Sequence, residues 1–176
     1  MISNKKIAIT GHTSGIGKTL FEHFLSKNTV IGFSRSNSFD ITLTESRKEI
    51  LTKSNNCDIF INNAYNNFDD SQLFMLMEIY ELWLGKKDKL IINISSRYTN
   101  DYNMYCETKT KQDKFIEKHL YDFPKIINLK PGLVDTPRVR SLKGNKINPE
   151  VISTVVDLIF DTRETIGINS ITFSPY

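Results

Sequence analysis

Apolar runs too short for helices alternate along this chain with longer segments whose apolar positions recur at helical spacing. Ile7-Ala8-Ile9, Ile59-Phe60-Ile61 and Leu90-Ile91-Ile92 are continuous rather than alternating, the pattern of strands buried on both faces of a parallel sheet. The spacing predicts strands over residues 6–10, 29–34, 57–62, 89–95, 124–130 and 170–173. It predicts helices over residues 15–27, 43–54, 71–84, 103–121 and 149–161. Strand and helix in rotation imply βαβ units, hence an α/β architecture with a parallel sheet. Residues 136–148, with Pro137, Gly144 and four basic side chains, are the expected long loop. At 176 residues, 39% of them hydrophobic, the chain can fill one core, so a single domain over residues 1–176 is expected.

The first predicted strand breaks into Thr10-Gly11-His12-Thr13-Ser14-Gly15-Ile16-Gly17 and then into a helix. Glycines there permit positive φ and close approach of a ligand, and the first free amides of the helix favour a phosphate. Gly17-Lys18-Thr19 also matches the end of a P-loop. The register opposes that reading, because G-x-x-x-x-G-K-[ST] would need glycine where His12 stands. Neither strand 59–61 nor strand 90–94 ends in the aspartate that would hold magnesium.

Composition narrows the partners. A net charge of +3 with 24% charged residues demands no nucleic acid. Lys109, Lys111, Lys114 and Lys118 read as the solvated face of a helix. Cys57 and Cys106 lack metal-ligand companions, and His12, His23 and His119 share no ligand spacing, so no metal site or disulfide framework is expected. No apolar stretch approaches a membrane span of ~20 residues, and the first strand begins too early for a signal peptide. A cytoplasmic protein bound to neither membrane nor nucleic acid is the expectation.

Four further patterns follow the glycine loop in a fixed order. They are Asn62-Asn63-Ala64-Tyr65, Asn93-Ile94-Ser95-Ser96, Tyr105-Cys106-Glu107-Thr108-Lys109 and Pro131-Gly132-Leu133-Val134-Asp135-Thr136. With T-G-x-x-x-G-x-G, this series resembles the short-chain dehydrogenase/reductase family: N-N-A-G with Tyr65 replacing glycine, a strand-end serine, Y-x-x-x-K and P-G-x-V-x-T. The resemblance runs from Ile7 to Phe173 and implies a Rossmann-type doubly wound parallel sheet. It also implies hydride transfer between a nicotinamide cofactor and a small carbonyl or alcohol substrate.

Tyr105 and Lys109 stand i, i+4, on one face of a predicted helix. A lysine ammonium near a phenol favours the phenolate and lowers a pKa that is otherwise about 10. By resemblance Tyr105 exchanges the proton, Ser96 orients the carbonyl, and Lys109 also meets the nicotinamide ribose. Cofactor contacts are implied at Gly11, Thr13, Ser14, Gly15, Ile16, Gly17, Asn63, Ala64, Tyr65, Pro131, Gly132, Val134 and Thr136. Asp40-Ile41 resembles the pair that meets the adenine. After the second strand, where an acidic residue would select NAD, the chain has Ser34 and Arg35. The guanidinium fork suits a phosphate, which favours NADP(H) over NAD(H).

Departures from the family pattern are as informative. The intervals from Asn63 to Ser96 and from Ser96 to Tyr105 are short for the family, so a compact, truncated member is expected. Tyr98 and Tyr102 fall in the second interval and read as pocket lining. No asparagine matches the one that the family often places on the intervening helix; Asp69, Asp70 and Ser71 are nearby. Tyr65 is bulky where glycine admits the cofactor. These two features leave open a non-catalytic dinucleotide-binding regulatory or sensor module. The resemblance implies that helices 71–84 and 103–121 pair subunits. Phe74, Met77, Ile79 and Trp83 are then an expected interface for a homodimer, which could associate further into a tetramer. Arg138, Arg140, Lys143 and Lys146 suggest an acidic substrate.

Overall fold

The computed structural model describes residues 2–67, 69–98, 103–162 and 165–176. Its strands are β1 (Lys6–Thr10), β2 (Thr29–Phe33), β3 (Ile59–Asn62), β4 (Leu90–Ile94), β5 (Lys125–Pro131) and β6 (Ser170–Phe173). Helices α1 (Gly15–Leu25), α2 (Thr44–Ser54), α3 (Ser71–Leu82), α4 (Met104–Lys118) and α5 (Glu150–Thr162) alternate with them. All six strands are parallel, in the order β2-β1-β3-β4-β5-β6. The order reverses between β1 and β3. That switch point opens a crevice beyond the carboxyl ends of those two strands.

Period-two alternation assigns each strand residue to one of two cores. Ile7, Ile9, Ile59, Ile61, Ile92, Ile94, Ile127 and Leu129 pack with Leu20 and Phe24 of α1 and with Ile152, Val156 and Ile159 of α5. Ala8, Phe60, Ile91 and Ile126 face the other way, toward Ile50 of α2, Met75, Leu76 and Ile79 of α3, Trp83 and Ile116 of α4. Both sheet faces are therefore covered, which is why the strands read as unbroken apolar runs. The sheet is the doubly wound α/β arrangement expected from the sequence.

Two expectations change. The loop 136–148 is partly ordered: a short 3-10 turn forms at Pro137–Val139, and Val134 bridges to Ile147. Helix α3 also buries more of itself than expected. Ile79 and Trp83 are fully enclosed in the chain's own core and Met77 is half-buried, while Phe74 is exposed with the Arg47 guanidinium over its ring. The apolar content of α3 thus argues less for a second subunit than its sequence suggested.

Candidate active site

The glycine loop is held at the switch point by side chains of β1 and β3. The Thr10 hydroxyl accepts the backbone N–H groups of Asn63 and Ala64, each at 3.0 Å. The Asn63 amide donates to the carbonyls of Thr10 (3.0 Å) and Gly11 (3.4 Å), and the Gly11 N–H donates to the Phe33 carbonyl at 2.6 Å. Gly11 has φ +73°, and a Cβ there would meet the Asn63 amide nitrogen at 2.9 Å. A Cβ on Gly17 would collide with the Gly11 carbonyl oxygen. These glycines let the loop fold flat against the end of β3.

The start of α1 suits a phosphate. Ser14, its N-cap, makes no side-chain bond to the helix amides, and the first turn has no acidic residue. Those N–H groups retain their partial positive charge. Thr13 and Ser14 are exposed, Ile16 packs on the core beneath, and the Thr136 methyl would lie 3.1 Å from a Cβ on Gly15. The Pro131–Thr136 segment, steadied by the Gly132 N–H on the Phe173 carbonyl (2.8 Å) and by buried Val134, therefore flanks the loop.

Beyond β2, Ser34 is buried and caps a 3-10 turn that begins at Arg35, which is exposed. Because Gly11 is bonded to Phe33, this turn borders the glycine loop. The Asp40 carboxylate accepts the Thr42 N–H at 3.0 Å, and Ile41 is buried in the core with its side chain away from solvent. The Ile41 carbonyl accepts the Arg47 guanidinium at 2.9 Å.

At the end of β4, the Ser96 hydroxyl accepts the Tyr98 N–H at 3.0 Å and stands beside the Tyr105 phenol. Tyr105 stands in the first turn of α4, which is capped by the Asn103 side chain on the Cys106 N–H (3.0 Å). Lys109, one turn on, is only 2% exposed. Its ammonium donates to the Gln72 side-chain oxygen at 2.6 Å and to the Ile94 carbonyl at 2.9 Å. Burial drives its pKa down to about 7, with the Arg138 charge adding to the effect and Asp113 opposing it. Ser96, Tyr105 and Lys109 are thus brought together, although Lys109 points inward.

The expected lowering of the Tyr105 pKa is not what this geometry gives. Burial raises it, and the neighbouring Ser96 hydroxyl and the Arg138 charge offset only part of that. The Lys109 ammonium lies 5.6 Å from the ring centroid and spends its hydrogen bonds elsewhere. Desolvation of the phenolate outweighs it.

Tyr65 occupies the centre of the site. Its ring meets Tyr105 edge to face at 5.1 Å, with the Lys109 nitrogen 4.9 Å from its centroid and the Arg138 guanidinium 5.2 Å from it. Arg138 also donates to the Tyr65 carbonyl at 3.1 Å. The Tyr65 hydroxyl is buried without a partner among the described residues, and its pKa is pushed up to about 12, chiefly by burial.

No family model matches the chain, and no curated protein does. Solved structures do. A 3-alpha-hydroxysteroid dehydrogenase from Pseudomonas sp. B-0831, complexed with NADH, superposes with TM-score 0.80 at 14% identity over 96% of this chain and 95% of its own. A short chain dehydrogenase from Burkholderia cenocepacia J2315, in complex with NADP, gives 0.73 at 17% over 97% and 88%. The chain has the short-chain dehydrogenase/reductase fold. A Brucella melitensis structure named as a ribose-5-phosphate isomerase matches equally well, with TM-score 0.79 at 16% identity over 98% and 91%. The fold alone does not fix the reaction.

Within this short-chain dehydrogenase/reductase fold, the sequence reading missed the residues that hold Lys109. Asn62, Asn93 and Asn128 are register partners across β3, β4 and β5. Asn62 donates to Asn93 and Asn93 to Asn128, each at 3.0 Å, forming a buried amide row. Gln72 ties to the Asn62 carbonyl (2.9 Å), Gln112 to Asn93 (3.0 Å), and Asn128 to Asp113 (2.7 Å). The recurring asparagine near each strand's end was the available signal. Gln72 follows the Asp69-Asp70-Ser71 segment, where only an asparagine was sought.

Lys111, Lys114 and Lys118 are exposed and Lys109 is not. His12 packs on Phe21, His23 pairs with Asp157 at 2.9 Å, and His119 bonds Tyr80 and Asp122. Among the described residues no cluster could hold a metal ion, and no helix is long and apolar enough to cross a membrane. Tyr98 is half-exposed beside Ser96, and Tyr102 lies outside the described residues.

Proposed function

We propose that the chain is an NADP(H)-dependent oxidoreductase that interconverts a small carbonyl compound and its alcohol. The observation that carries this reading is the grouping of Ser96 and Lys109 around Tyr105, with the Lys109 nitrogen 5.6 Å from its ring centroid, in a fold whose glycine loop opens a helix that no side chain caps. Gly11 to Gly17 and Thr136 would hold the pyrophosphate side of the cofactor, and Arg35 a 2′-phosphate. When bound, the nicotinamide supplies the hydride. Tyr105 supplies the proton. Its raised pKa keeps the phenol in the protonated, donating form at neutral pH, while a pKa nearer neutrality would make it a stronger acid. Ser96 fixes the hydroxyl's direction, and Lys109, held by Gln72, keeps a titrating charge under the ring.

One observation favours the second reading, a dinucleotide-binding module without turnover. Tyr65 covers Lys109, whose hydrogen bonds run inward to Gln72 and Ile94. Comparing the parent protein with Tyr105→Phe decides between them. Under the enzyme reading, NADPH binding by fluorescence survives the substitution, while NADPH oxidation with a panel of ketones and aldehydes drops by about 10²-fold or more. Equal measurable rates in the two proteins would reject Tyr105 as the acid, and NADPH binding with no oxidation in either would leave the module as the function.

A further inference from the structure

Two basic side chains, Arg138 and Lys109, stand at the proposed active site. Arg138 sits on the 3-10 turn after the Pro131–Thr136 segment and is exposed. Its guanidinium lies on one side of the Tyr65 ring, at 5.2 Å, and Lys109 approaches the same ring at 4.9 Å. Two cations therefore share one aromatic ring, and neither has a carboxylate ion pair among the described residues. The acids whose charge reaches the site are committed elsewhere: Asp113 to Lys130, Ser95 and Asn128, Asp70 to Lys111 and Thr108, Asp69 to Asn66 and the Ser71 N–H. Arg140 and Lys143 are exposed farther along the loop, and Lys146 donates to the Arg140 carbonyl at 3.1 Å. Of the basic residues on this loop, Arg138 is the one in contact with the site.

A guanidinium carries five N–H donors in a planar fork. Among the described residues Arg138 uses one nitrogen, on the Tyr65 carbonyl, which fixes the plane of the group and leaves its other edge to solvent. Arg138 and Tyr105 both pack on the Tyr65 ring, and the Arg138 charge reaches the Tyr105 phenol. Resting on the conclusion that Tyr105 is the proton donor, we propose that Arg138 is the specificity-determining residue. The substrate it selects carries a carboxylate or phosphate a few bonds from the reacting carbonyl. Binding that oxyanion offsets the repulsion between Arg138 and Lys109. It also places the carbonyl over Tyr105, because a two-point attachment sets both position and angle.

The probes are acetoacetate and its neutral ethyl ester, which share the ketone and differ in the anion. Their binding to the NADPH-loaded protein is measured by ligand-observed NMR, alongside NADPH oxidation. Acetoacetate is expected to bind about tenfold or more tightly than the ester. The preference should vanish in Arg138→Gln, return in part in Arg138→Lys, and shrink as salt is raised. Equal binding of acid and ester, or an unchanged preference in Arg138→Gln, overturns the proposal. So does an Arg138→Gln variant whose NADPH or 2′,5′-ADP affinity falls while acetoacetate binding does not, because the residue then serves the cofactor's phosphates. A preference that depends on Arg138 in a protein whose Tyr105→Phe variant turns over normally would keep the anion site and reject Tyr105 as the acid.

Discussion

Lys109 is buried with a pKa of about 7, and this makes the stability of the whole chain depend on pH in a defined direction. The unfolded chain keeps the lysine proton up to about pH 10.4. The folded chain releases it near 7. Between these values the unfolded state binds more protons, so stability rises with pH; below 7 both states are charged and the full cost of burying the ammonium is present. One proton is worth about 1.4 kcal/mol per pH unit, and half of the folded molecules have already lost it at 7. The gain from pH 7 to 9 is therefore about 2 kcal/mol.

Lys109→Met provides the reference, since it removes the charge and keeps the stem. It orphans neither acceptor: the Gln72 oxygen still receives Gln112 at 3.2 Å, and the Ile94 carbonyl still receives Gln72 at 3.1 Å. Urea unfolding of both proteins at several values between pH 6 and 9 should give a difference that moves by about 2 kcal/mol in favour of the parent as pH rises from 7 to 9. Cys57 and the raised tyrosines are common to both proteins and cancel. Gln72→Glu sets a carboxylate against the ammonium and should move its titration above this window, abolishing the slope. A parent-minus-variant difference that stays flat across the window would refute the buried, inward-directed lysine.

Arg35→Asp should reverse cofactor preference, so that NADH binds more tightly than NADPH in fluorescence titrations; equal affinities in the parent protein would remove Arg35 from phosphate recognition. Gly17→Ala tests the packing of the loop against the helix. Alanine would gain up to about 1 kcal/mol in helix propensity, but its Cβ would strike the Gly11 carbonyl and the Asn63 amide. A net loss of about 1–3 kcal/mol in urea unfolding, with weaker NADPH binding, is expected; a stabilised variant would show that the loop yields.

The strands and helices were legible because their cause is local. Ile59-Phe60-Ile61 and Leu90-Ile91-Ile92 must be covered on both sides, and only helices on both faces do that. Boundaries moved where an end depends on a neighbour rather than on propensity, as where α3 stops at Leu82 so that Trp83 can enter the core. Motif residues were legible too, since Ser96 and Tyr105 meet as their order implied. What could not be read was direction. The i, i+4 spacing puts Lys109 on the face of Tyr105 but does not say which acceptor takes its hydrogen bonds, and that acceptor, Gln72, comes from another helix.

The asparagine row explains why that direction is stable. Asn62, Asn93 and Asn128 stand in strands rich in isoleucine, at positions that face the α3 and α4 side of the sheet. Apolar side chains there would contribute burial without any need for matched partners. The amides form a polar bed instead, joined at 3.0 Å from strand to strand and extended by Gln72, Gln112 and Asp113. Lys130 closes it at the far end with an ion pair to Asp113 at 2.5 Å. A lysine laid on an isoleucine surface would have to reach solvent or lose its proton altogether. On this bed it keeps two acceptors and titrates near neutrality, 5.6 Å from the centre of the Tyr105 ring.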